Sequence, residues 1–163
     1  MSVIARIARL EDGTPVVLRP LTADDRALLH ELLERLSPES RRLRFLTPLP
    51  RIPAWMLDAL AAVDGDRHFA WIALAGGRPV AHAHAVRTGP AEAEVALMVA
   101  DALQGRGLGR ALVSVLRADA ACRGIRCLAM DIDPSNTAAV ALARSAGADL
   151  RPDAGVLSGA LAA

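Results

Sequence analysis

A glycine-rich turn between a strand pattern and a helix pattern is the feature that most constrains the fold of this chain. Residues 104–109 read QGRGLG, with three glycines and one arginine. Apolar residues alternate from Val95 to Val99, which predicts a half-buried strand ahead of the turn. Apolar residues recur at helical spacing from Leu108 to Leu116, which predicts that the turn opens directly into an amphipathic helix.

The position of these glycines predicts a binding site for an anion. Glycine lets the backbone approach a ligand closely and adopt φ values that other residues avoid. The first turn of a helix presents unpaired N–H groups and a partial positive charge, so a pyrophosphate is a ligand that suits it. A loop that is rich in glycine only because it turns tightly is the alternative at this point.

Two other glycine motifs fit the segment less well. A Walker loop requires a lysine, whereas all 19 basic residues of this chain are arginine. A dinucleotide fingerprint requires a third glycine at the position of Arg110, although Asp131 or Asp133 could supply its acidic residue. Neither nucleotide-binding motif is favoured.

The order of predicted elements places the chain in the α/β (α+β) class. Antiparallel hairpins come first and one parallel crossover comes late, in the order β-β-α-α-α-β-β-β-α-β-α-β-β. Strands are predicted over residues 5–10, 15–19, 68–74, 79–87, 92–99, 127–132, 148–151 and 156–160, and helices begin near residues 22, 38, 53, 108 and 136.

Composition limits the classes of protein to which the chain can belong. Its 163 residues predict one domain, residues 1–163, with a core of small aliphatic side chains, because 53% of the residues are hydrophobic and 2% are aromatic. The net charge of +1 gives no reason to expect nucleic acid or a membrane surface as a partner. Arg6 and Arg9 interrupt the apolar stretch near the start, so a signal peptide is not predicted. We expect a cytoplasmic, bacterial protein in which Cys122 and Cys127 are buried free thiols.

The succession of strand, Gln-x-x-Gly-x-Gly, helix, strand, Asn136 and helix resembles the GNAT family of acetyltransferases. Residues 12–14, 36–40, 44–45 and 66–68 are similar to bacterial Pat-type protein lysine acetyltransferases. The resemblance implies the GNAT fold over residues 1–163, a mixed and mostly antiparallel sheet flanked by helices. Two adjacent parallel strands, here residues 92–99 and 127–132, splay apart in that fold to hold the pantetheine arm of acetyl-CoA.

The resemblance also implies which residues contact the acetyl-CoA cosubstrate. The backbone of residues 97–99 would pair with the pantetheine arm and stabilise the oxyanion, and residues 104–110 would hold the pyrophosphate. Asn136 would contact the arm, although a simple helix cap is nearly as good an interpretation. No metal is expected. The implied cofactor-binding set is Leu97, Met98, Val99, Gln104, Gly105, Arg106, Gly107, Leu108, Gly109, Arg110 and Asn136.

Glu94 is the candidate catalytic base, because an amine must lose a proton before it attacks a thioester. Its position matches a glutamate that Pat-type relatives keep as general base, acting through water. Partial burial among apolar neighbours would make this carboxylate a stronger base. Glu92 is the alternative, since both glutamates share a strand face, and a third possibility is that neither has a catalytic role. Ala143 stands where many GNAT enzymes have a tyrosine that serves as general acid, so a non-catalytic function stays open.

Two further groups of charged or titratable residues have less specific interpretations. The arginines at positions 41, 42 and 44 are either a solvated helix face or contacts to phosphate or substrate at the mouth of the site. The histidines at positions 68, 82 and 84 are expected to be structural, because they lack metal-ligand spacing.

The sequence therefore predicts an N-acetyltransferase that acts on a primary amine, with a protein lysine as the favoured acceptor. A small-molecule amine acetyltransferase and a non-catalytic acyl-CoA-binding module are the alternatives. Either a monomer or a homodimer is consistent with the sequence.

Overall fold

The computed structural model describes residues 4–163, and its sheet and helices follow the predicted order. The strands are β1 (Arg6–Arg9), β2 (Pro15–Pro20), β3 (His68–Ala75), β4 (Arg78–Gly89), β5 (Glu92–Val99), β6 (Cys127–Ile132), β7 (Asp149–Asp153) and β8 (Val156–Ala162). The helices are α1 (Arg26–Glu34), α2 (Pro38–Phe45), α3 (Ala54–Ala61), α4 (Leu108–Cys122) and α5 (Thr137–Ser145), with 3-10 turns at Ala23–Asp25 and Asp101–Leu103. Together, the strands form one sheet in the order β1-β2-β3-β4-β5-β6-β8-β7.

Helices cover both faces of the sheet and enclose two apolar clusters. One cluster lies between the sheet and α4, where Leu112 and Leu116 pack against the alanines of β4. The other lies between the sheet and the pair α1 and α3, where Leu29, Leu32 and Leu33 are fully buried. Small side chains in the central strands let the helices lie close to the sheet, as the low aromatic content predicts.

Within residues 4–163, β5 and β6 are the only parallel neighbours in the sheet, and the sheet opens into a cleft between them. Their pairing is limited to three positions, and the last joins Glu94 to Ala129. Beyond it, β5 stays bonded to β4 as far as Val99, while β6 stays bonded to β8 as far as Ile132. The two strands therefore part after Glu94, which confirms the predicted fold class and its splayed parallel pair.

One expectation about the cysteines is wrong. Cys122 ends α4 and is exposed, and Cys127 begins β6 and is half-buried, so the pair does not form buried thiols. Only the apolar face of an amphipathic helix packs on the core, and sequence spacing does not show at which residue the end of the helix projects beyond that core. Within residues 4–163, none of the helices is both long and apolar enough to cross a membrane.

Candidate active site

The turn before α4 presents a row of free backbone N–H groups. Gly105 and Gly107 have φ values of +73° and +86°, in the left-handed region that glycine adopts without strain. Within residues 4–163, no backbone or side-chain acceptor takes the N–H groups of residues 105–110. Since α4 is 15 residues long, its dipole adds partial positive charge at the same place. This end of α4 is suited to bind a pyrophosphate.

The polar side chains of the turn brace it against its surroundings. The amide of Gln104 donates to the Val99 carbonyl over 3.1 Å and lies 3.4 Å from the Ser40 hydroxyl. Arg106 forms a 2.7 Å ion pair with Asp12 of the β1–β2 turn, and both side chains are about half exposed. Gln104 and Arg106 therefore hold the shape of the turn, and Arg106 keeps part of its guanidinium free.

The remaining residues of the motif connect the turn to the α4–α5 contact. Leu108 is buried in the core, and a Cβ on Gly109 would lie 3.0 Å from a methyl of Leu142 on α5. Arg110 is exposed and makes no ion pair within residues 4–163. It lies at one end of a groove of about 520 Å³, which is lined by Arg110, Val113, Ser114, Arg117, Leu142, Ser145 and Ala146.

The backbone N–H groups of Leu97, Met98 and Val99 on β5 point in alternating directions. The N–H of Ala100 donates to Val80 of the chain that leads into β4. Because hydrogen-bonded pairs alternate along an antiparallel ladder, Met98 bonds to β4, whereas Leu97 and Val99 direct their N–H groups toward the cleft. Leu97 and Val99 can therefore contact a ligand between the splayed strands, and the Met98 side chain is 4% exposed within the α1–α3 core.

The two candidate glutamates differ in their distance from the cleft. Both are exposed and lie on the sheet face that carries α1 to α3, as their spacing predicts. Glu92 lies beside Gly89 at the β4–β5 turn, where β5 and β6 are still paired. Glu94 is the last paired residue before the strands separate, so its carboxylate lies at the start of the cleft. The expected partial burial of Glu94 is wrong, because the helices packed on this face leave its side chain exposed.

Asn136 caps the start of α5, and Ala143 lies within that helix. The side-chain oxygen of Asn136 accepts from the N–H of Ala139 over 3.1 Å, so it caps the helix and leaves its amide group available. Ala143 is 5% exposed and packs into the core. A methyl group cannot donate a proton, and no tyrosine exists elsewhere in the chain. Within residues 4–163, no group of three metal-ligating side chains is present.

The arginines of α2 contact both sides of the cleft, whereas their sequence pattern is equally consistent with a solvated helix face. Arg42 bonds Asp133 over 2.6 Å and the Ser135 hydroxyl over 3.1 Å, in the loop between β6 and α5. The hydrogen bond from the Ser135 hydroxyl, and then the one from the Arg42 guanidinium, lower the pKa of Asp133 to about 2. Arg44 lies 3.2 Å from the Nε2 atom of His84 on β4. The cluster of arginines in residues 41–44 indicated such contacts in the sequence, but a solvated helix face has the same pattern.

Comparison with known proteins agrees with this geometry. The family model described as acetyltransferase (GNAT) family matches residues 28–148. An acetyltransferase of Pseudomonas aeruginosa is 32% identical over 112 residues, which are 66% of this chain and 60% of that protein, so the chain spans less than two thirds of that relative.

Two solved structures extend the comparison to the fold. The GNAT domain of S. lividans PAT is 31% identical, with a TM-score of 0.93 over 98% of this chain and 97% of that one. A phosphinothricin acetyltransferase of Sinorhizobium meliloti, solved with acetyl-CoA, shares the fold at 20% identity, with a TM-score of 0.74 over 90% of this chain and 88% of that one. The family match covers most of the chain, and on that ground the chain belongs to the acetyltransferase (GNAT) family.

Proposed function

We propose that this chain transfers an acetyl group from acetyl-CoA to a primary amine, with Glu94 as the general base. The observation that carries the proposal is the parting of β5 and β6 directly after Glu94, beside the free N–H groups of residues 105–110. A carboxylate at the start of a cleft and a row of anion-binding donors at its end match a long ligand with a pyrophosphate. A protein lysine is the proposed acceptor, because residues 36–40 and 44–45 resemble Pat-type enzymes.

The residues present fit acetyl-CoA. The N–H groups of residues 105–110 and the Arg110 guanidinium supply donors for the pyrophosphate, and Arg106 adds the free part of its guanidinium. Leu97 and Val99 direct backbone N–H groups into the cleft, where amides of a pantetheine arm and a carbonyl oxygen would accept them. The side-chain amide of Asn136, at the start of α5, is a further hydrogen-bond donor. When bound, acetyl-CoA supplies the acyl group as a thioester.

Glu94 would remove the proton that makes the acceptor unreactive. A lysine ammonium has a pKa near 10.4, so the neutral amine is scarce at pH 7. The exposed carboxylate of Glu94 takes this proton, directly or through water, and returns it to solvent. The amine nitrogen then bonds to the acyl carbon as the carbon–sulfur bond breaks, and the nitrogen gives up its surplus proton to solvent. With Ala143 in place of a tyrosine, the leaving thiolate takes its proton from water.

Release of free CoA from acetyl-CoA tests the proposal. The acceptors are an acyl-CoA synthetase that bears a reactive lysine, a peptide with a single lysine, and a set of small amines. We expect acceptor-dependent release that falls at least 100-fold in Glu94→Gln, because general-base catalysis contributes about 10²–10⁴-fold. CoA affinity by titration calorimetry should stay within twofold. Since the chain has no lysine, every acetyl-lysine detected belongs to the acceptor.

The alternatives predict different results from the same panel. Release with small amines only would replace the protein lysine with a small-molecule acceptor. Tight CoA binding without release for any amine would favour a non-catalytic binding module, an outcome to which the missing tyrosine gives some weight. Full turnover in Glu94→Gln with a loss in Glu92→Gln would transfer the base role to Glu92.

A further inference from the structure

A group of four side chains, three histidines and one arginine, lies on the sheet face that carries Glu94. The rings of His68, His82 and His84 stack edge to face, with centroids 5.3 and 5.4 Å apart, and Arg44 joins them from α2. Within residues 4–163, none of the four forms an ion pair. Several of their buried nitrogens lack a hydrogen-bond partner there, including both ring nitrogens of His82. Buried nitrogens without partners are costly, so a cluster of them beside a reactive cleft calls for a functional reason.

The contact between Arg44 and His84 has a defined direction. A guanidinium can only donate, so the Nε2 atom of His84 accepts and the ring proton lies on Nδ1. Burial, and then the charge of Arg44, hold the pKa of His84 well below its usual range, which keeps the ring neutral as this bond requires. His84 therefore anchors one end of Arg44 to the sheet.

Arg44 and Glu94 lie on the same face of the sheet. His84 pairs with Ala96 and Val86 with Glu94, so His84 and Glu94 are diagonal neighbours on one face. Helix α2 packs against β5, and the 3.2 Å contact with His84 places the Arg44 guanidinium on this face. Burial lowers the pKa of Arg44 to about 10, and the negative charge of Glu94 opposes that shift. Arg44 is thus a cation at pH 7, and the charge of the Glu94 carboxylate favours this charged form.

We propose that Arg44, anchored by His84, is a positioning residue for deprotonation of the acceptor amine: its fixed positive charge on the sheet face that carries Glu94 favours loss of the amine's proton to solvent. The inference rests on the function proposed above. A cation disfavours any additional proton nearby, so an amine bound beside Glu94 loses its proton at lower pH when Arg44 is present. The other titratable or charged groups on this face of the sheet include Arg19 on β2, His68 on β3, His82 on β4, Glu92 on β5, and Cys127 and Asp131 on β6.

The dependence of kcat on pH tests the role of Arg44, with the single-lysine peptide and acetyl-CoA both saturating, because kcat reports the groups that titrate in the bound complex. In Arg44→Met, the acid limb should move to higher pH by about half to one pH unit, the size expected for loss of one nearby charge in a partly aqueous site. The rate at pH 7 should therefore fall about three- to tenfold and recover near pH 9. KM for acetyl-CoA should stay within twofold, because Arg44 makes no contact with residues 104–110.

Arg41→Met is the matched control on the same helix. Arg41 bonds the backbone carbonyl of Leu33, away from the sheet face, so its loss removes an α2 arginine without changing the charge beside Glu94. Its pH profile should overlay that of the unaltered chain even if its melting temperature falls. Arg44→Lys keeps the charge and should restore most of the acid limb, with intact mass confirming that the introduced amine is not itself acetylated.

Two results would overturn the proposal while the proposed function stands. In the first, the profile of Arg44→Met superimposes on that of the unaltered chain. In the second, Arg44→Met loses the same factor at every pH and Arg44→Lys does not recover, which is the behaviour of a residue that only supports the fold. If the unaltered chain transfers no acetyl group to any amine, the proposed function fails and the role of Arg44 fails with it.

Discussion

At the scale of single residues, His82 connects burial with the stability of the whole fold. Its side chain is 0% exposed, and neither ring nitrogen has a partner within residues 4–163. Burial, followed by the charges of Arg44 and His68, lowers the pKa of His82 to about 3. The unfolded chain binds a proton at this histidine near its ordinary pKa of 6.5, whereas the folded chain excludes it.

We therefore expect the free energy of unfolding to fall as the pH is lowered from 6.5 toward 3. The slope from His82 alone reaches about 1.4 kcal/mol per pH unit, and above pH 6.5 this contribution is constant. Urea unfolding at pH 4, 5, 6, 7 and 8 measures the slope, which should be smaller in His82→Met by up to that amount. His30→Gln is the control, because His30 is exposed on α1. An unchanged slope in His82→Met would contradict the assignment.

A carboxylate that is paired in the fold responds to a different range of pH. The Arg19 guanidinium, which bonds both oxygens of Asp25, lowers the pKa of Asp25 to about 2. The stabilisation from this pair is complete above the ordinary value of 3.8 and is lost as the pH falls toward 2. Loss of stability that begins between pH 6 and 5 therefore reports the buried histidines rather than this ion pair.

At the scale of elements, the N-terminus of α4 depends on a backbone shape that few residues adopt. Gly107 begins this helix at φ +86°, and Gly155 occupies the β7–β8 turn at φ +89°. A Cβ at either position would meet no atom within 4 Å, so the two sites carry the same backbone strain and differ in location alone. The pair separates the cost of a strained turn from the loss of a ligand contact.

Substitution by tryptophan at each position provides this test. We expect Gly107→Trp to weaken CoA binding at least tenfold, because the side chain would stand beside the free N–H groups of residues 105–110. Gly155→Trp should lower the melting temperature by a similar amount and leave CoA affinity within twofold. Titration calorimetry with CoA measures the affinities, and thermal unfolding measures the melting temperatures. Equal affinity in the two variants would show that the turn does not hold the pyrophosphate.

At the scale of the whole molecule, a single sheet separates two apolar clusters. Leu112 lies in the α4 cluster and Leu32 in the α1–α3 cluster, and both are 0% exposed. Since both clusters pack on the central strands, loss of either should loosen the sheet for the other. This arrangement is the physical basis for expecting one domain over residues 1–163.

Leu112→Ala and Leu32→Ala should each destabilise the chain by about 2–5 kcal/mol and leave a single unfolding transition. Acetyl-CoA at 100 times its Kd should stabilise every form by about 2.7 kcal/mol, whichever cluster is altered. Scanning calorimetry with and without acetyl-CoA measures both effects. Two separate transitions, one sensitive to each substitution, would contradict the single-domain prediction.

The sequence by itself determined those features that depend on local patterns. Alternation and helical spacing predicted the order of strands and helices, because each follows from side chains close together in the chain. The motif at residues 104–109 likewise indicated a site beside the start of α4. The sequence allowed two interpretations of Asn136, and the helix cap, one of the two, is present in the structure. Ser37, at the start of the predicted second helix, caps α2.

Only the tertiary structure decided which residues face the cleft. Glu92 and Glu94 share a strand face by parity, and they differ because pairing between β5 and β6 ends at Glu94. Past that point β6 stays paired with β8, a strand from a distant part of the chain, while β5 stays paired with β4. Arg44 likewise became distinct from its neighbours through His84, 40 residues away. Local spacing carries no information on contacts of this kind, because they form only when separate elements pack.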